Sequence, residues 1–270
     1  CTVLRKLDLS HNNLNQLPHD LSALASLKEL DLSHNQFTHA PCLKDLKKLE
    51  FLNMGHNELL SVDFGIERLR RKDRQLSITL SNNRLIEFPS SLFNIRSLFE
   101  LDLSSNAIRT LKIMGSTLSN LEYLNVSDNK ISHVDLSELT ALKDLDLCQN
   151  RLTTDINIAQ SSQLRSLNLA QNSITELPDH LWTQLSKIKD INLSMNKIRE
   201  LPPLFSIYYM STLININMSS NELKYLPLHF LKEKEAGRTQ LKCLNISNNR
   251  LKWLDKSIID YFLSEKGSQL

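Results

Sequence analysis

Glycine is scarce in this chain, and the catalytic motifs built on glycine or on paired histidines are missing. The five glycines among 270 residues are scattered, at Gly55, Gly65, Gly115, Gly237 and Gly267. No glycine-rich loop that could cradle a phosphate is present, and neither H-E-x-x-H nor G-x-S-x-G occurs. The sequence therefore predicts no catalytic residue, no metal site and no cofactor, and we do not expect this segment to be an enzyme.

Long apolar runs and a strong net charge are also missing. The richest apolar stretch, LFSIYYMSTLININM at residues 204–218, is interrupted by serine, threonine and asparagine, and no run reaches the 18 residues typical of a membrane span. The formal net charge of +2 provides no general attraction to nucleic acid. We therefore expect no membrane span and no nucleic-acid partner.

Cysteine usage bears on the cellular compartment. The four cysteines, Cys1, Cys42, Cys148 and Cys243, show no C-x-x-C spacing. Cys148 and Cys243 lie too many repeats apart to meet the distance limit of a disulfide, and unpaired thiols are typical of a reducing compartment. We therefore predict a cytoplasmic protein.

Four glycosylation sequons keep an extracellular alternative open. They begin at Asn125, Asn192, Asn217 and Asn245. Each lies between two apolar residues of the same short motif, where a glycan would crowd a sheet. The favoured interpretation is that the repeated motif itself produces these N-x-S sequences, independently of glycosylation.

The chain instead repeats one phrase. LDLSHN occupies residues 7–12 and 30–35, and LNMGHN follows at 52–57. The asparagine of this phrase recurs 11 times, 21 to 28 residues apart, at Asn12, Asn35, Asn57, Asn83, Asn106, Asn129, Asn150, Asn172, Asn196, Asn221 and Asn249. Apolar residues stand eight, five and three positions before nearly every asparagine, and two after it. Such a period indicates a stack of similar structural units.

The spacing within each copy predicts a short strand followed by a turn. Apolar residues five and three positions before the asparagine alternate with polar ones, so they share one side of a strand. One strand cannot bury this side alone, whereas stacked parallel copies share a core. We expect the asparagine amide to bond backbone groups that the turn leaves unpaired. Six copies place proline six residues after it, at Pro18, Pro41, Pro89, Pro178, Pro202 and Pro227.

The pattern L-x-x-L-x-L-x-x-N-x-L, followed by x-x-L-P, resembles the leucine-rich repeat family over essentially the whole chain. The resemblance implies an α/β solenoid, a horseshoe with a parallel β-sheet on its concave side and an irregular, 3-10 or short helical convex side. We expect one domain over residues 1–270. Because neither end shows a cap for the apolar stack, we interpret the segment as an excerpt of a longer protein.

The implied concave face carries the candidate binding residues. In three successive copies its exposed positions hold six carboxylates against one lysine, with two aromatic residues among them and a third nearer the start. Carboxylates this close together repel one another when all are ionised, unless a cation binds next to them. Aromatic residues often anchor interfaces. The predicted partner-binding residues are Phe51, Phe99, Glu100, Asp102, Glu122, Tyr123, Asp128, Asp144 and Asp146.

Two further features have a plain interpretation and a functional one. His11, His34 and His56 occupy the same slot in three successive copies, where stacking would place the rings about 5 Å apart. Either these histidines are ordinary residues of the motif without a special function, or they form a pH-sensitive edge. The run RLRRKDR at residues 68–74 is a solvated convex segment or a contact for phosphates or acidic lipids.

The function that fits best is protein recognition. A rigid concave sheet offers area rather than an enclosed pocket, which favours a protein or peptide partner over a small molecule. We predict a module that binds a basic protein surface or peptide within a multidomain signalling or scaffold protein. Two alternatives are the ectodomain of a Toll-like receptor and the substrate-selecting or autoinhibitory arm of a kinase, GTPase or phosphatase.

Overall fold

The computed structural model describes residues 3–65, 75–113, 118–154, 156–158, 163–231 and 240–263. Most strands are three residues long, and each copy of the repeated phrase contributes one of them to a single parallel sheet. In chain order the strands are β1 (Lys6–Asp8), β2 (Glu29–Asp31), β3 (Phe51–Asn53), β4 (Leu76–Thr79), β5 (Leu98–Asp102), β6 (Thr110–Lys112), β7 (Tyr123–Asn125), β8 (His133–Asp135), β9 (Asp144–Asp146), β10 (Ile156–Asn157), β11 (Ser166–Asn168), β12 (Asp190–Asn192), β13 (Asn215–Asn217) and β14 (Cys243–Asn245).

The long sheet has eleven strands in the order β1-β2-β3-β4-β5-β7-β9-β11-β12-β13-β14. Neighbouring strands pair in parallel and in the register of the repeat, so Tyr123 lies between Glu100 and Asp144. The core-facing residue of each inner strand, such as Leu124 or Leu145, is buried. The predicted solenoid with a parallel sheet is therefore confirmed.

The repeated asparagine joins neighbouring copies, as expected. The side-chain amide of Asn83 donates to the carbonyl oxygens of Leu80 and Ser81 in its own copy and of Met54 in the preceding one. Its side-chain oxygen accepts the backbone N–H of Leu59, also in the preceding copy, at 2.9 Å. One buried side chain thus satisfies four backbone groups that the turn would otherwise leave unpaired.

The residue before each asparagine adopts a left-handed backbone conformation. Its φ angle lies between +51° and +56° in all eleven copies. Asparagine, aspartate and histidine tolerate this region better than most residues, which explains the choice of His34, Asn82 or Asp128 in this slot. The conformation turns the chain out of the strand and toward the far side of the solenoid.

A second sheet on that far side is a feature that the sequence analysis missed. Strands β6, β8 and β10 form a three-stranded parallel sheet. The three copies that provide these strands have no proline six residues after the asparagine. By contrast, 3-10 helices directly follow Pro89, Pro178 and Pro227, at Ser90–Asn94, Asp179–Gln184 and Leu228–Leu231. Proline has no N–H to donate to a ladder, so its absence permits the strand.

The far side also buries aromatic side chains. Trp182, Phe205 and Phe230 are fully buried in successive copies, and their ring centroids are separated by 4.6 Å and 5.9 Å. Helix α1 (Lys256–Leu263) follows the last strand and packs against the 3-10 helix at Leu228–Leu231. These contacts fix the spacing of the last copies.

Candidate functional site

The exposed face of the long sheet contains a depression at its centre. It has a volume of about 290 Å³ and spans strands β5, β7, β9 and β11. Five of the nine predicted binding residues line it, namely Glu100, Asp102, Tyr123, Asp144 and Asp146. The parallel register of three-residue strands brings these side chains together although they are spread over 47 positions of the chain.

An aromatic pair forms one part of the depression, where Tyr123 lines it and Phe99 packs against Tyr123. The ring centroids of Phe99 and Tyr123 are 5.0 Å apart, and the planes meet at 66°, which is an edge-to-face contact. Tyr123 is 36% exposed. Phe51, the third predicted aromatic residue, is equally exposed but lies on β3, which β4 separates from β5. The structure therefore joins two of the three predicted aromatic residues.

Two of the predicted carboxylates support the turns that follow their strands. One side-chain oxygen of Asp102 accepts the backbone N–H of Ser104 at 2.9 Å. Asp146 does the same for Cys148 at 2.8 Å, and its other oxygen accepts the side-chain amide of Asn168 at 3.0 Å. Both groups contribute negative charge to the depression, but their orientation is fixed by these bonds.

Glu100 and Glu122 already have partners in neighbouring copies. Glu100 accepts the Ser77 hydroxyl at 3.0 Å. Glu122 forms an ion pair with Lys143, and both side chains are about three-quarters buried, at 23% and 27% exposure. Lys143 neutralises the charge of Glu122, and neither residue lines the depression.

The position of Asp144 in the site changes the pKa of its carboxyl group. Loss of water contact raises the pKa of its half-buried carboxyl above the ordinary value of 3.8. The charges of Asp190 and Glu122 act in the same direction, whereas Arg165 and Lys143 oppose them. A cation placed next to Asp144 would restore the preference for the ionised form.

Asp128 lies at the end of the face. It occupies the left-handed turn slot, with φ of +51°, and its exposed side chain is outside the depression. Three polar lining residues that the sequence analysis did not select are Asn125, Ser166 and Asn168. They occupy the same columns of the repeat as Asp102 and Asp144, so a search by column rather than by charge would have found them.

The sequons have a structural explanation in this geometry. The side-chain oxygen of Asn125 accepts both the backbone N–H and the hydroxyl of Ser127, and Asn192 and Ser194 form the same pair of bonds. This small turn is built from an Asn or Asp followed two residues later by Ser. This turn therefore accounts for the N-x-S sequences.

Several other sequence features can now be placed. In the part of the chain that the structure describes, no group of three or more histidine, cysteine, aspartate or glutamate side chains is arranged to hold a metal ion. Within the same ranges no helix is long and apolar enough to cross a membrane. The RLRRKDR run at residues 68–74 and Cys1 lie outside the described residues.

Comparison with protein families identifies the repeated unit. A model described as "Leucine rich repeat" matches residues 2–59 and 76–131, and a second model of that description matches residues 163–185. Together these matches cover about half of the 270 residues. They include seven of the nine predicted binding residues, and the other two, Asp144 and Asp146, lie between the matched ranges.

One curated relative and two solved structures illustrate the likeness. An adenylate cyclase of Schizosaccharomyces pombe is 30% identical over 154 residues, which are 56% of this chain and 9% of that protein. The functional domain of InlJ from Listeria monocytogenes is 25% identical with a TM-score of 0.72, over 100% of this chain and 52% of that chain. A chain of the Toll–Spatzle complex from Drosophila is 23% identical with a TM-score of 0.70, over 94% of this chain and 39% of that chain. The chain thus spans a small part of the enzyme and about half or less of either structure.

Proposed function

Because the chain belongs to the leucine-rich repeat family, we propose that it is a binding module that holds a basic protein surface or peptide against the exposed face of its long sheet. The observation that carries this proposal is the aromatic pair Phe99 and Tyr123 at a depression lined by four carboxylates. Aromatic rings and carboxylates together suit lysine or arginine side chains, which gain ion pairing and contact with a ring face.

Three features of the depression support a protein or peptide as the partner. It is open and shallow, so it offers area rather than enclosure. Its floor consists of strand residues fixed by neighbouring copies, so little ordering of the site accompanies binding. The half-buried Asp144, whose pKa is raised chiefly by lost water contact, would be stabilised in its ionised form by a cation. The Toll structure of the same fold is itself a complex with Spatzle.

We further propose that the module belongs to a multidomain signalling or scaffold protein in the cytoplasm. Cys42, Cys148 and Cys243 are free thiols in the structure, which favours a reducing compartment. The sequons are weaker support for the extracellular alternative than the thiols are for a reducing compartment, because a turn explains the N-x-S sequences. Mass measurement of the protein secreted from eukaryotic cells separates the two, since attached glycans support an ectodomain.

A second candidate function is that of a selecting or inhibitory arm of an enzyme. The likeness to part of an adenylate cyclase supports this alternative, because in that relative the matching region accompanies a catalytic activity. The two candidates share the binding face and differ in what is attached to it. Sequencing the full transcript decides whether a catalytic domain adjoins the repeats.

Affinity capture from cell lysate tests the binding proposal. The site variant combines Glu100→Lys, Tyr123→Ala and Asp144→Lys, and it spares Asp102 and Asp146 because they support turns. The control variant combines Glu87→Lys, Ile86→Ala and Glu176→Lys, which makes the same charge change at exposed positions beyond the turns. We expect a partner to be retained by the parent and the control and lost by the site variant. Equal retention by all three contradicts the proposal.

A further inference from the structure

A column of histidine rings lines one edge of the first three repeats. The centroids of His11 and His34 are 4.1 Å apart with an interplanar angle of 11°, and those of His34 and His56 are 4.1 Å apart with an angle of 10°. The rings are therefore stacked face to face. We call His11, His34 and His56 the histidine column.

The same three residues join the repeats through their backbones. The N–H of His11 donates to the carbonyl of Ser33 at 3.0 Å, and the N–H of His34 donates to that of Gly55 at 3.0 Å. The N–H of His56 donates to the carbonyl of Ser81 at 2.9 Å. Each residue also has a left-handed backbone, so the turns and these bonds hold the three backbones at the spacing of the repeat, at which the exposed rings stack.

We propose that the histidine column is a pH-sensitive latch, which holds the first repeats together while its rings are neutral and weakens their stacking when they gain protons. Two protonated rings 4.1 Å apart repel each other. That repulsion acts on the residues that donate the hydrogen bonds between repeats. Acidification therefore acts directly on the edge of the binding sheet.

The groups around His34 favour its neutral form. The pKa of His34 lies below its ordinary value of 6.5. The largest cause is the water contact that its ring loses to its neighbours, and the charges of His56 and His11 lower the pKa further. Asp31 opposes them, but its carboxylate already accepts two hydrogen bonds from Ser33. At the outer end, the Asp8 carboxylate interacts with His11 and is similarly bonded to Ser10.

The direction of the pH effect follows from this shift. Since the pKa of His34 is lower in the folded state, the unfolded chain binds more protons between that value and 6.5. Stability is therefore fully present above pH 6.5 and decreases as the pH falls through this window. At the inner end of the column the next slot holds Asn82, which has no charge to contribute.

The chain provides matched variants for a test. His34→Asn removes the central ring and introduces a residue that the same left-handed slot already holds at Asn82 and Asn248. Asn82→His extends the column by a fourth ring next to His56. Asn248→His adds a histidine to a distant slot whose neighbour is Ser220, so it controls for the added titratable group.

Thermal unfolding of each variant at pH 7.5 and pH 5.0 gives the loss of midpoint temperature on acidification. We expect a smaller loss for His34→Asn than for the parent, a larger one for Asn82→His, and the parent's loss for Asn248→His. Titration of the ring carbon signals by NMR should place His34 below 6.5. Equal losses in the parent and His34→Asn, or a His34 ring that titrates at or above 6.5, would overturn the proposal.

Discussion

The side-chain oxygen of Asn129 accepts the backbone N–H of Ile108, 21 residues earlier in the chain, at 3.0 Å. Its amide donates to the carbonyl of Leu103 in the same preceding copy and to Val126 and Ser127 in its own. One asparagine thus bonds both sides of a repeat boundary. The regular spacing of the exposed face depends on this bond set.

Replacement of Asn129 by alanine should strongly destabilise the chain. Each buried group left without a partner costs about 1–3 kcal/mol, and several lose their partner at once, so we expect a loss at or above the upper end of that range. Urea unfolding of the purified protein measures it. The matched control is Asn12→Ala, since within the described residues the amide of exposed Asn12 bonds Leu9 and Ser10 of its own copy alone. Similar losses in both variants would contradict the role of the boundary.

The strand register and the asparagine bonds were predictable because they follow from the residue pattern within each copy. Apolar residues five and three positions before each asparagine determine which side of the strand is buried. The second sheet was less predictable: its strands lie where Lys112, Asp135 and Ile156 replace the proline, but Asp63 and Asp255 replace it in two copies without such a strand.

The clustering of the residues that line the depression was predictable, and their hydrogen-bond partners were less so. The columns correctly placed Glu100, Tyr123 and Asp144 together, because parallel strands keep the period of the repeat. The partners of Glu122 and Asp146 were not evident, since Lys143 and Asn168 come from the next copy. Which oxygen accepts which hydrogen depends on side-chain rotamers. The residue types at one position of the repeat do not specify these rotamers.

Cys148 should be much less reactive than the other described cysteines. Loss of water contact, followed by a hydrogen bond with Asp146, raises the pKa of its thiol to about 12. Little of the reactive thiolate therefore exists at neutral pH, whereas Cys42 and Cys243 are exposed. Timed iodoacetamide labelling at pH 7.5 with peptide mass analysis should show Cys148 modified at least about tenfold more slowly than Cys243. Labelling at equal rates would refute this expectation, and labelling in urea provides the unfolded reference.

Gly65 should resist substitution more than Gly55. Gly65 has φ of +64°, and an added Cβ atom would lie 3.1 Å from the sulfur of Cys42. We expect Gly65→Ala to lower the free energy of unfolding by about 1–2 kcal/mol, because alanine is strained in this conformation. Gly55 occupies a slot that holds Ala170 in another copy, so Gly55→Ala should cost less. Thermal unfolding compares the two, and the reverse order would be inconsistent with the backbone strain.

Selection of peptides from a random displayed library against the immobilised chain tests the binding proposal most directly. We expect enrichment of peptides rich in lysine and arginine. The Kd of the best peptide should rise at least about tenfold, or about 1.4 kcal/mol, with the variant Glu100→Lys, Tyr123→Ala and Asp144→Lys. It should remain within about twofold of the parent, or about 0.4 kcal/mol, with Glu87→Lys, Ile86→Ala and Glu176→Lys. Peptides without basic residues, or equal affinity for the two variants, would contradict a basic partner on this face.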